Sequence, residues 1–233
     1  MKQKHLTFLI CLISFPLCVK GQWKLGVTGG ATLNQYTIDK QYMENVYYKN
    51  EWGGTAGVSA LYDFLQLKDW KFGVRGDINW MMKDYRESLV AETNSFNYFS
   101  FIVMNHFIQM PIMANITFGK KLRCIGNIGC YGSYWLSCIK NGYNLFGRLD
   151  FTEMQNIHGE NYHVNFDSQR DNRFECGIVT GIGGEWQFCK LLSVQIQALW
   201  YHGITSTQKE YMRIKSPRYN DTLVLQAGLY LNL

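Results

Sequence analysis

From Trp23 to the last residue, apolar side chains recur at every second position in eight separate blocks. In the first, Trp23, Leu25, Val27, Gly29, Ala31 and Leu33 alternate with Lys24, Gly26, Thr28, Gly30 and Thr32. In the third, Trp70, Phe72, Val74, Gly76, Ile78, Trp80 and Met82 alternate with Lys71, Gly73, Arg75, Asp77, Asn79 and Met81. A period of two marks a strand, because successive strand side chains point to opposite faces. The other blocks lie at 55–64, 108–118, 122–137, 174–188, 192–201 and 222–233. They are long for soluble strands and close to the roughly 9–11 residues that a tilted strand needs to cross a bilayer.

Connections between the blocks alternate in length. Those near 65–69, 119–121 and 189–191 are short, whereas those near 34–52, 83–105, 138–172 and 206–221 are long and polar. Short turns at one end and long loops at the other are the asymmetry of an outer-membrane barrel. The predicted fold is all-β: an eight-stranded antiparallel up-and-down transmembrane β-barrel over 22–233, with both termini periplasmic because the strand number is even. A soluble lipocalin-like barrel also has eight strands. It would put the charged faces in water around a large apolar cavity, the reverse of the sense expected here. Tryptophan placement favours the membrane reading: Trp23, Trp70 and Trp186 fall at short-turn ends, and Trp52, Trp80, Trp135 and Trp200 at loop ends. Trp23, Trp70, Trp80, Trp186 and Trp200 are the expected interfacial girdle, and Trp70 to Trp80 spans roughly 23 Å at about 3.3 Å per residue and a 45° tilt.

The first 21 residues have a different character. Lys2 and Lys4 precede an apolar run from Leu6 to Val19, which ends in Val19-Lys20-Gly21. This reads as a secretory signal peptide over 1–21, its core too short for a spanning helix. Losing Lys2, Lys4 and Lys20 lowers the formal charge from +5 to +2, which removes the main support for a nucleic-acid partner. The expected surroundings are outer-membrane lipid and lipopolysaccharide.

Seven cysteines become five without the leader: Cys124, Cys130, Cys138, Cys176 and Cys189, with no CxxC. A zinc site is not expected, and no metal, nucleotide or cofactor motif appears. A cross-strand disulfide between Cys138 and Cys176 would suit an oxidising compartment. The plainer reading leaves the cysteines as small apolar residues facing lipid.

The inward-facing charges are the main candidate constellation: Lys24, Asp63, Lys71, Arg75, Asp77, Arg123, Glu175 and Glu185. Folding the second hairpin about its short turn sets Asp63 opposite Lys71 and Ser59 opposite Arg75. An eight-stranded barrel is just wide enough for side chains to fill, so a packed ion-pair network is expected rather than a water-filled pore. A lipid-facing acyl hydrolase would need His, Ser and an acid at the outer rim. The candidates are His106, His158, His163 and His202; Ser193 lies a membrane thickness from His202, Ser206 lies in a loop, and no orienting acid is evident.

Several segments resemble the PorT-like outer-membrane β-barrel family. They are His106-Phe107-Ile108-Gln109-Met110-Pro111-Ile112-Met113-Ala114-Asn115, followed by Phe118-Gly119-Lys120, and the Gly-rich stretch Gly126–Gly132. The third is Arg173–Trp186, and Trp200-Tyr201-His202-Gly203-Ile204-Thr205 closes the order. Departures are Gln109 and Glu175, where Glu and Asp are usual, and the final Leu233, where an aromatic is common. The resemblance implies an outer-membrane barrel of Gram-negative bacteria, in a family whose name-giving member takes part in protein secretion. The expected function is thus non-enzymatic: a structural or partner-binding barrel acting through the loops 138–172 and 206–221. Transport or a secretion accessory role stands second, and a lipid-modifying enzyme third.

Overall fold

A computed structural model describes residues 22–38, 46–89, 96–147, 158–209 and 217–233; the expected signal peptide lies outside them. The strands are β1 (Gln22–Ile38), β2 (Val46–Leu67), β3 (Trp70–Met82), β4 (Tyr85–Leu89) and β5 (Phe96–Gly119). They continue as β6 (Leu122–Gly147), β7 (His158–His163), β8 (Phe174–Gln187), β9 (Leu192–Gly203) and β10 (Arg218–Asn232).

Eight of these form a closed antiparallel ring. β1 pairs with both β2 and β10, and the pairs β2–β3, β3–β5, β5–β6, β6–β8, β8–β9 and β9–β10 complete it. β4 and β7 prolong β3 and β8 above the ring by pairing with β2, β5 and β6. Closure leaves the eight ring strands no unpaired edge, as a strand structure in hydrocarbon requires.

The stagger of the ring can be counted. From Arg75, the register runs one way through Leu61 and Lys24 to Asn232 of β10. The other way it runs through Met113, Gly129, Val179 and Tyr201 to Thr222 of the same strand, ten residues away. Eight strands with that stagger tilt by about 40° at ordinary strand spacings. The tilted wall alternates as its sequence does: Val27, Ile128 and Ile182 expose more than 60% of their surface outward, while Lys24, Arg75 and Glu185 expose 1% or less.

The turns at one end are tight. Lys68-Asp69 closes β2–β3 with Lys68 at φ +54°, and Gly119, at φ +125°, starts the turn into β6. A Cβ at Gly119 would lie 2.4 Å from the Leu122 carbonyl oxygen, so only glycine fits there. At the other end β2, β5 and β6 run to 22, 24 and 26 residues, well into segments whose sequence reads as loop. Beyond the membrane both faces of a strand can meet water, so pairing persists after the apolar alternation has ended.

Two registers differ from the sequence expectation. Asp63 pairs with Gly73 and Lys71 with Gln66, while Ser59 faces Asp77 and Arg75 faces Leu61. The turn sits later than expected and a bulge falls between Asp63 and Leu65, which moves each partner by two or more residues. In β6, Trp135 and Ser137 pair with consecutive residues of β5, leaving Leu136 as a bulge. The bulge reverses the faces beyond it, so Cys138 turns inward.

Candidate functional site

The lumen is filled in layers. At the short-turn end, Lys24 of β1 donates to Glu185 of β8 at 3.1 Å and lies 3.5 Å from Asp63 of β2. Arg123 of β6 donates to the same Glu185 at 3.0 Å and to Gln187 at 2.5 Å. Lys71 lies 3.9 Å from Asp63 and donates to Gln22 at 3.0 Å. Deeper in, Arg75 grips Asp77 two residues along its own strand, at 2.8 Å through Nε and 2.9 Å through Nη2. Its Nη1 donates to Gln197 at 2.6 Å, which also accepts from Asn127 at 2.9 Å. Asn115 donates to Asn127 at 2.7 Å and Gln197 to Gln195 at 2.6 Å, so amides carry the network across the barrel. Buried charges of this kind are tolerable only when paired and hydrogen-bonded.

Next comes an apolar layer: Met81, Met113, Tyr131, Val179, Leu199, Tyr201 and Val224 form one cluster spanning the lumen. Val179, Leu199, Tyr201 and Val224 expose no surface at all. These side chains occupy the polar phase of the alternation: Met81, Met113 and Tyr201 fall on the polar face by the sequence pattern, and Val179, Leu199 and Val224 are apolar residues of the same phase. A few apolar residues among polar ones on an inward face are the signal that could have shown a plug.

Beyond this layer, Glu175 of β8 accepts from Lys83, from Tyr131 at 2.8 Å and from Asn220 at 2.6 Å. Glu175 is thus separated from the other seven charges, and its cationic partner is Lys83, which sequence reading missed. Lys83 sits between β3 and β4, off any strand pattern, with its ammonium 4.8 Å from the Phe107 ring centre and 5.1 Å from that of Tyr131. Asn34 donates to Asn220 at 3.2 Å and accepts from Thr222 at 2.7 Å, closing this layer.

The mouth on the loop side is capped. Tyr85, Phe101, Val103 and Cys138 form a buried cluster covered by Tyr36, Tyr48, Trp135, Val164 and Phe166. Tyr36 and Tyr85 stack with ring centres 4.1 Å apart. Arg173 lies between the Phe166 and Tyr134 rings, at 4.3 and 4.7 Å, and donates to the Trp135 carbonyl at 2.9 Å. Residues 164–172 are tied to 206–209 by Asn172 N–H to the Thr207 carbonyl and Lys209 N–H to the Arg170 carbonyl, at 2.9 and 2.8 Å. Asp84, next to Lys83 and above the loop-side tryptophans, accepts from the Asn105 backbone N–H at 3.0 Å. Burial, with Glu51 nearby, outweighs that hydrogen bond and pushes its carboxyl up to about 6.

Trp23, Trp70, Trp80, Trp186 and Trp200 all face outward, 41–59% exposed. Trp23 packs on Tyr62 and Trp70 on Phe118 at the short-turn end, at 4.7 and 4.6 Å. Trp80 meets His106 and Trp200 meets His202 at the loop end, each at 5.4 Å. Trp135 is not part of that girdle: it is half-buried, between Phe107 at 5.8 Å and Phe166 at 4.8 Å.

The disulfide expectation fails on register. All five cysteines among the described residues are free. In the β6–β8 pairing Cys176 faces Gly132, so Cys138 lies six residues along the strand from that position, roughly 20 Å at 3.3 Å per residue. A disulfide needs Cα atoms within about 7 Å. Cys138 is also buried inside, not lipid-facing. One acid that the sequence reading did not single out does appear at the loop-side rim: Asp221, directly across from His202, lies 2.5 Å from its Nδ1.

A closed ring of tilted strands, apolar outside, tryptophan-edged at both ends and filled with paired charges, is an integral outer-membrane β-barrel. The chain belongs to the outer membrane protein beta-barrel domain family, whose profile matches residues 14–208. No curated protein matches it. Similar solved structures include Ail of Yersinia pestis, 13% identical with a TM-score of 0.36, covering 89% of this chain and 97% of that one. OprG of Pseudomonas aeruginosa is 9% identical with a TM-score of 0.44, over 90% and 95% of the two chains. The outer membrane protease OmpT of Escherichia coli is 7% identical with a TM-score of 0.42, over 91% and 96%. Likenesses at this level carry no functional reading.

Proposed function

We propose that this protein is a non-enzymatic outer-membrane barrel that works as a scaffold, presenting its long loops to a partner outside the cell. The observation that supports this is the filled lumen, with an apolar layer between two polar ones and a capped mouth. Such an interior leaves the loop-side surface as the accessible feature, and rigid barrels commonly carry function on such loops. In this reading the chain is made with a signal peptide over 1–21, both termini are periplasmic, and the protein is a PorT-like member of its family. A photo-cross-linker at Tyr162, which is 44% exposed, is expected to give protein adducts in intact outer membranes. The same group at lipid-facing Ile182 is expected to give lipid adducts only. Absence of any protein adduct from the loop position would contradict the scaffold reading.

A second reading has one observation in its favour. His202 and Asp221 form a base–acid pair at the outer rim, the positioned half of a hydrolytic site. It predicts phospholipid hydrolysis that disappears in His202→Ala; equal release of fatty acid by both proteins removes it.

A further inference from the structure

Pro111 lies in the middle of β5, surrounded by paired strands. Proline is uncommon there because it has no N–H to give to the ladder. Pairing of β3 with β5 is regular from Trp70 to Gly76 and resumes at Asn79 with Gln109. It lapses at Asp77 and Ile78, the residues across from Pro111 and Met110. On its other side Pro111 keeps its place opposite Tyr131. A main-chain oxygen of β3 therefore faces a nitrogen that cannot donate, within the membrane-spanning wall, where no water is at hand to satisfy it.

Outside this lapse the wall is hollowed. An open groove of about 710 Å³ runs over the lipid-facing side of the sheet, from Leu192, Leu229 and Leu231 across Leu25 and Val27 to β2, β3 and β5, where Ala60 and Gly76 lie at its base beside Ile78 and Ile112. Ala60 pairs with Gly76, and Gly76 with Ile112, so two small residues lie side by side at its base. A Cβ at Gly76 would meet nothing within 4 Å. The volume falls in the ~300–1,000 Å³ range of ligand sites. Gly76 stands between Trp70 and Trp80, nearer the loop-side girdle, so a hydrocarbon chain is the occupant at that depth. The main-chain oxygen of Asp77 has no ladder donor across from it, because Pro111 carries no N–H, and a donor on that chain would meet it.

We propose that this groove is a specific lipid site for a hydroxylated acyl chain, as lipopolysaccharide carries, whose hydroxyl donates to the β3 oxygen opposite Pro111. The chain lies across Gly76 and Ala60 and seals the lapse in the ladder. Pro111 is a specificity-determining residue, because it frees the acceptor.

The test compares two probes in bilayers: a phosphatidylcholine with one 3-hydroxytetradecanoyl chain and its plain tetradecanoyl counterpart. The full-length barrel is reconstituted with equal amounts of each, extracted in mild detergent, and the retained lipid is counted by native mass spectrometry. The expected preference for the hydroxylated chain is roughly two- to tenfold, the range one net hydrogen bond supports. Gly76→Phe fills the open space and is expected to lose retention of both probes, with Ala60→Phe doing the same from β2. Pro111→Ala restores the N–H and is expected to retain both probes equally. Heat-modifiable mobility reports that each variant is a folded barrel. Equal retention of the two probes by the natural protein overturns the proposal, as does a preference that survives in Gly76→Phe or Pro111→Ala. Because the probes occupy both leaflets, the outcome does not depend on which end of the barrel faces the cell exterior or on what the loops bind.

Discussion

Glu185 holds the short-turn half of the lumen together, because it accepts from both Lys24 and Arg123 and exposes none of its surface. Replacing it by Gln keeps the shape and removes the charge both cations face. Breaking a buried pair from one side costs about 3–5 kcal/mol. Glu185→Gln is therefore expected to lose roughly 3 kcal/mol, read as a lower denaturant midpoint for unfolding from lipid vesicles; a loss under about 1 kcal/mol would show the network to be well hydrated. Asp84 gives a pH dependence of known sign. Its folded-state carboxyl is raised to about 6, so its contribution to stability is full below the unfolded value of about 3.9 and is lost as pH rises through about 6. The stability difference between the natural protein and Asp84→Asn should thus move against the natural protein between pH 4 and 7. A difference that stays flat with pH would contradict that account.

At the scale of strands, the eight spanning blocks, their outward face and the short turns were legible because hydrocarbon on one side and a polar lumen on the other impose a period of two. The same rule made Lys24, Arg75, Asp77, Arg123 and Glu185 readable as inward residues. It could not set register. A bulge after Asp63 and another at Leu136 shift partners and reverse a face without changing the composition of either strand. Nor could it show the outer extensions of β2, β5 and β6, where neither face has to be apolar, or Lys83, which belongs to no strand. The Cys138–Cys176 expectation depended on register alone and fell with it. The thiols of Cys124, Cys130, Cys138, Cys176 and Cys189 should each add one alkylating group in denaturant, with equal mass shifts with and without reductant; a shift that grows on reduction would contradict the free thiols.

At the scale of the whole molecule, strand number and stagger set a bore that side chains can fill, and the sequence supplies them in alternating layers. Paired charges span the short-turn half, an apolar layer from Met81 to Val224 follows, the Lys83–Glu175 layer lies above it, and aromatic rings cap the mouth. An ion crossing this lumen would have to part buried pairs on both sides of an apolar layer. The Tyr85–Phe101 cluster and the bonded segments 164–172 and 206–209 cover the loop-side mouth. Closure of the lumen is therefore the central property, and single-channel recording of the refolded barrel in planar lipid bilayers tests it most directly. It predicts a flat baseline at moderate applied voltage, with no discrete steps above that of the lipid alone. Regular, voltage-stable conductance steps that scale with protein added would contradict it.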